Sequence, residues 1–278
     1  MSPDTVDDTT IDVARPSLRE RLTTPEGKVA MRVGIVVGVL TVLLLAFGVW
    51  WPIVSLPTTA SDTQEAVKAT ILVFSIAAAP VMALVWGVGY YSLRHWRAGS
   101  GDEPPEDGPA MRGNNRVAIG WLVVSSVLTA FLLIWGLSEL TSTTTIPNGA
   151  KPLTINVTGQ QWVWSFSYPE DGGISSSDLV LPKDRPVIFQ VTSTDVIHSF
   201  WLPEMGIKVD ANPAVTATVS TTPTLLGTFQ VRCAELCGLN HSYMQTTARV
   251  VESSDFDAWV KSQGGTPGQV IPAEASNG

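Results

Sequence analysis

The sequence predicts a membrane-anchored all-β protein, with transmembrane helices in its first half followed by a Greek-key β-barrel. Three observations predict it. Three uncharged apolar runs lie before residue 140. After residue 150 the pattern changes to short β-prone runs separated by turn residues. Basic residues gather at one end of each apolar run. Within 278 residues there is room for a membrane region and one compact domain.

The apolar runs cover 33–55, 69–93 and 117–138. Each reaches the roughly 20 residues that a helix needs to cross the hydrocarbon core. Hydrophobic residues make up 45% of the chain, and there are ten Trp, a residue favoured at membrane interfaces. The first run is long for the apolar stretch of a signal peptide and follows a polar leader of thirty-two residues, so it reads as a retained helix. Arg15, Arg19, Arg21, Lys28 and Arg32 precede that run, and Arg94, Arg97, Arg112 and Arg116 flank the second loop. The first loop has only Lys68. The tail and the second loop are therefore expected on the cytoplasmic side, and everything after Glu139 outside. The expected organisation is a cytoplasmic tail (1–32), a transmembrane region (33–140), an extracytoplasmic β domain (141–252) and a C-terminal helix with a flexible tail (253–278).

In the β domain, strands are expected at 153–157, 162–168, 186–191, 215–220, 227–232 and 246–251. Such regular spacing fits a sandwich or Greek-key barrel. Ser254 reads as the N-cap of the terminal helix, with Asp255 and Asp257 in its first turn. The formal net charge of −8 argues against a nucleic-acid partner, because phosphate binding needs a basic face.

The chemistry is concentrated in one stretch. Cys233 and Cys237, the only cysteines, are followed by His241 and Met244, and His198 lies upstream. Thiolates and a thioether are soft ligands and imidazole is borderline, a mixture that suits copper cycling between two oxidation states. Two thiolates can bridge two coppers, leaving one His for each. Met244 and a backbone carbonyl, that of Glu235, can then serve as weak axial ligands. Two cysteines in an exported domain also suit a disulfide, and a Cys2His2 set suits zinc, although zinc gains nothing from Met244.

The run Cys233-Ala234-Glu235-Leu236-Cys237-Gly238-Leu239-Asn240-His241-Ser242-Tyr243-Met244 closely resembles the copper signature of cytochrome c oxidase subunit II. The stretch from Gly159 to Phe166 resembles that family's aromatic segment. His198-Ser199-Phe200-Trp201-Leu202-Pro203, with Gly206-Ile207-Lys208-Val209-Asp210, resembles its first-ligand loop. The resemblance implies a cupredoxin barrel holding the binuclear CuA centre. Its copper ligands would be His198, Cys233, Glu235 through its carbonyl, Cys237, His241 and Met244. It implies that Trp162 receives the electron from cytochrome c or a small copper protein. Glu235 and Asp210 match positions near a magnesium site shared with subunit I. Asp195 reads either as part of an acidic docking face or as a solvated carboxylate. The implied partners are subunit I, which carries the haem, and subunit III, in the cell membrane.

Some features depart from the family pattern. The family hairpin usually has two spans, and three are expected here. Arg116-Val117-Ala118-Ile119-Gly120-Trp121 lacks the Glu that often opens the second hairpin helix, and there is no Cys-x-x-Cys-His for covalent haem. Two rival readings are a copper-free quinol-oxidase subunit, disfavoured by the retained thiols and imidazoles, and a membrane-anchored copper-delivery protein.

Overall fold

The computed structural model describes residues 22–95, 113–146 and 150–268. Most of the expected cytoplasmic tail, most of the second loop and the last ten residues lie outside the described residues. The chain divides into two compact units, one within 1–49 and 75–112, the other within 50–74 and 113–278.

Three long helices are present: α1 (Pro25–Ser55), α2 (Asp62–His95) and α3 (Asn115–Thr144). All three are long and apolar enough to cross a membrane, with mean hydropathies of 2.6, 2.3 and 2.4 over their best windows. Their ends follow from local chemistry. Pro25 opens α1, where its missing N–H is no loss, and the Thr24 hydroxyl accepts from the Gly27 N–H. Asp62 and Glu65 sit in the first turn of α2, and Arg94 and His95 in its last, each countering the helix dipole. His95 closes the helix, stacked on Tyr91 with ring centroids 4.2 Å apart. Asn114 caps α3 by accepting from the Arg116 and Val117 N–H groups. In the first unit α1 and α2 approach closely, since a Cβ on Gly87 would fall 2.6 Å from Val37 Cγ2.

The β domain is a sandwich of two five-stranded sheets, one ordered β3-β2-β1-β5-β8 and the other β4-β10-β9-β6-β7. The first sheet contains β1 (Leu153–Gln160), β2 (Val163–Tyr168), β3 (Ile174–Ser176), β5 (Val187–Ser193) and β8 (Ala217–Thr221). The second contains β4 (Leu179–Pro182), β6 (His198–Leu202), β7 (Ile207–Ala211), β9 (Gly227–Cys233) and β10 (Gln245–Val251). Pairing is antiparallel except for β1 with β5 and β4 with β10. These two parallel pairings, and the order of strands remote in sequence, give the Greek-key connectivity of a half-open barrel. The six expected strands all form. Four more join them, and one of these, β6, is the stretch read from sequence as a ligand loop.

Alternation of side chains builds the core. Leu153, Ile155 and Val157 point inwards from β1, Val187, Phe189 and Val191 from β5, and all six are fully buried. Phe200 of β6 is the centre of an aromatic cluster, 5.5 Å from Trp164 and 5.3 Å from Phe189 between ring centroids. The Tyr168 hydroxyl is clamped on β4, accepting from the Val180 N–H and donating to the Val180 carbonyl. Burial keeps that hydroxyl protonated well beyond the usual phenol range.

The terminal helix α4 (Ser253–Ser262) packs Phe256 and Val260 into the same core. Its N-cap residue is Glu252, with no side-chain capping bond, so Ser254 is already helical and does not cap it. The helix is held by its apolar face, as Trp259 meets Tyr168 at 5.0 Å. The following Gly265–Gly268 segment, expected to be flexible, lies against the turn after β2: the Gly268 N–H donates to Asp171 Oδ1 at 2.9 Å.

The link between α1 and α2 is joined to the barrel. The Ala60 N–H donates to the Glu204 carbonyl, and the Ala60 carbonyl accepts from the Thr224 N–H. Asp62 Oδ1 accepts from the Thr222 N–H at 2.8 Å and from the Thr221 hydroxyl at 3.1 Å. Gln64 is buried beside Gly206, which has φ 65° and would place a Cβ 2.8 Å from the Gln64 backbone.

Candidate metal centre

Strand ends bring the soft side chains together. His198 opens β6, Cys233 closes β9, and the 234–244 loop returns the chain to β10. The pairing of β9 with β10 runs up to the site, where the Cys233 N–H donates to the Met244 carbonyl. The Ala234 N–H donates to the Ser199 carbonyl, which ties the loop to β6. A short 3-10 turn, His241–Tyr243, then folds the loop back over the thiols.

Both cysteines are free and buried, with their sulfurs 3.8 Å apart, far beyond the roughly 2.05 Å of a disulfide. Each thiol has its own imidazole. Cys233 Sγ lies 3.9 Å from His198 Nδ1, and Cys237 Sγ lies 3.6 Å from His241 Nδ1. Met244 Sδ is 3.8 Å from Cys237 Sγ, and the Glu235 carbonyl oxygen is 3.2 Å from Cys233 Sγ. His198, Cys233 and Cys237 present ligand atoms all within 4.8 Å of one another, the only such cluster of three His, Cys or carboxylate donors among the described residues. Burial, and then the neighbouring Cys233 thiol, push the Cys237 thiol up to about 11. A cation is what would strip protons from this pair at neutral pH. Two thiols, two imidazoles and a thioether converging at one place fit a two-copper group by donor chemistry.

A second layer orients the ligands. His198 Nε2 lies 2.8 Å from Asp195 Oδ1, which directs Nδ1 towards the thiol. Burial alone would raise the Asp195 pKa, but the Gln161 N–H, the His198 ring, the Val196 N–H and the Ser193 hydroxyl outweigh it and hold the carboxyl at about 2. Asp195, an exposed residue, is thus also the partner of a candidate ligand, a role not among the two expected for it. Its position three residues before His198 is the signal for this in the sequence. Gly159 leaves room for the imidazole, since a Cβ there would lie 3.1 Å from His198 Cδ2.

Trp162 stands on the β1–β2 turn, half-buried, with its indole N–H buried and without a partner among the described residues. It borders the ligand loop: a Cβ on Gly238, where φ is 126°, would lie 3.4 Å from Trp162 Nε1. Gln161, which sequence reasoning passed over, donates from Nε2 to the Cys237 carbonyl at 2.7 Å. Its only sequence signal is adjacency to Trp162. Glu235 and Asp210 are both exposed; Asp210 pairs in register with Ser199, whose carbonyl accepts from Ala234. The two carboxylates thus stand on neighbouring chain segments, with no third carboxylate, His or Cys donor clustered with them among the described residues. A cavity of about 310 Å³ opens beside the thiols, lined by Trp201, Arg232, Cys233, His241, Ser242 and Met244.

The family model for the periplasmic domain of cytochrome c oxidase subunit II matches residues 174–252, which include His198 and the whole ligand loop. The chain belongs to the cytochrome c oxidase subunit II family. Among curated subunit II proteins, that of Alkalihalophilus pseudofirmus is 32% identical over 67% of this chain and 55% of its own length. That of Synechocystis is 28% identical over 82% of this chain and 84% of its own length. The chain spans about half the length of the first relatives it matches. The periplasmic domain of subunit II from Bradyrhizobium japonicum, a solved structure, is 34% identical, covering 43% of this chain and 97% of that domain, with a TM-score of 0.41. Subunit II membership agrees with the order found here, apolar helices first and a β-sandwich after them.

Proposed function

We propose that this chain is the electron-accepting subunit of a respiratory terminal oxidase, taking electrons from cytochrome c or a small copper protein. The electrons go on to haem in subunit I, where oxygen is reduced to water. The observation that carries the reading is the pair of unbridged thiols, each facing one imidazole. His198, Cys233, the Glu235 carbonyl, Cys237, His241 and Met244 would hold two copper ions. That group supplies a one-electron carrier.

The protein's part is to bind, orient and shield. Asp195 orients the His198 ring, and the fold buries Met244 and both thiols. Trp162 marks the face where the donor docks. Excess acidic residues after residue 140 would steer a basic donor to this domain, speeding encounter more than tightening it. Subunits I and III are the expected neighbours in the cell membrane, and Glu235 with Asp210 would complete a magnesium site only with ligands from subunit I.

The test is electron paramagnetic resonance of the purified, copper-loaded complex. An electron shared by two copper nuclei is expected, in a preparation that also carries haem. Cys237→Ser is expected to abolish that pattern while far-ultraviolet circular dichroism stays near wild type. A single-copper pattern in the wild type, without a haem subunit, would mark a copper carrier and sink the proposal.

A further inference from the structure

We propose that Gln161 is a positioning residue that fixes Trp162 against both sides of the candidate metal centre. This rests on the function proposed above. Gln161 makes two bonds from one turn. Its backbone N–H donates to Asp195 Oδ2 at 2.7 Å, and the other oxygen of Asp195 meets His198 Nε2 at 2.8 Å. Its side-chain Nε2 donates to the carbonyl of Cys237 at 2.7 Å. One residue is therefore tied to two candidate ligands, indirectly to the imidazole and directly to the backbone of the thiol.

Trp162 is the next residue and has no polar anchor of its own, because its indole N–H has no partner among the described residues. The indole is located by packing and by what its neighbour holds. Gly238 completes the arrangement. Its φ of 126° favours glycine, and a Cβ there would stand 2.9 Å from Gln161 Nε2 and 3.4 Å from Trp162 Nε1, so a side chain would press on the amide that ties the turn to the ligand loop. Gln161 is exposed, and an exposed glutamine ordinarily spends its side-chain freedom in water. Here the amide reaches inward to a carbonyl of the ligand loop. Electron transfer weakens steeply as partners separate, so a turn that drifts from the ligand loop would slow uptake while leaving every ligand in place.

Gln161→Leu keeps most of the bulk and removes the donor. Three readouts on the full chain decide the matter. In the assembled oxidase, the copper resonance pattern and the donor concentration at half-saturation are expected to stay at wild-type values. The single-turnover rate of electron uptake at saturating donor is expected to fall on the order of tenfold, as misplacement of a reacting group does. In the metal-free chain, hydrogen exchange of the 159–163 turn is expected to quicken. A raised half-saturation with an unchanged uptake rate would overturn the proposal, because Gln161 would then be a donor contact. A changed copper pattern or lost copper loading would overturn it too, making Gln161 a support of the ligands alone. So would wild-type behaviour in all three. A wild-type chain with no two-copper pattern would instead sink the functional reading, and the exchange experiment would still judge the tie.

Discussion

Asp195 shows how one carboxylate decides what a histidine can do. Its Oδ1 meets His198 Nε2 at 2.8 Å, which turns Nδ1 towards Cys233. Asp195→Ala is expected to weaken copper binding by about 10- to 100-fold, measured by competition with a chelator, because such outer partners commonly matter that much. Trp162 makes a different prediction, since it is not itself a candidate ligand. Trp162→Ala is expected to slow donor oxidation by at least about tenfold with the copper spectrum unchanged. Normal oxidation kinetics in that variant would remove Trp162 from the route. The candidate ligands were legible in the sequence because five of them lie within twelve residues, at spacings that one loop can close. Gln161 was not legible as a partner. Its bonds cross 34 and 76 positions, and only the folded strands bring their ends together.

At the scale of elements, length and polarity governed what could be read. The three apolar helices announce themselves, and so do strands with clear alternation. The four unexpected strands are short. β3 has three residues, two of them serine, and β4 is a continuous apolar run buried on both faces, which has no period to detect. β6 was hidden because its first residue drew attention as a ligand. The N-terminus of α4 was misplaced by two residues because Ser254 has cap chemistry, while the backbone had already turned helical at Ser253. The tie of Asp62 to the barrel was missed altogether, since its partners lie some 160 positions on. Asp62→Ala removes the acceptor for Thr221 and Thr222 together and leaves the Ser61 hydroxyl that caps α2. It is expected to destabilise the junction by about 1–2 kcal/mol, read as faster hydrogen exchange in β8.

For the β domain as a whole, Asp171 sets an acid-linked dependence. It is buried at the turn that receives Gly268, and burial raises its pKa above the ordinary carboxylate value, opposed by the Gly268 N–H and by Arg185. A carboxyl raised in the folded state favours folding below its unfolded pKa, and that contribution is lost as pH rises through the folded value. Asp171→Asn keeps the acceptor for Gly268 and removes the charge. The variant is expected to gain thermal stability over wild type as pH climbs from about 3 towards 7, with little difference at the acid end. Equal melting temperatures across that range would show that the carboxyl is not held in its neutral form by the fold.

The attachment at Ala60–Gln64 has a consequence for encounter. A redox domain hanging from a single linker would swing, and a visiting donor would meet every side of it in turn. This barrel also holds the head of α2, through the bonds of Ala60 and Asp62, so turning about the chain that leaves α3 would first have to break them.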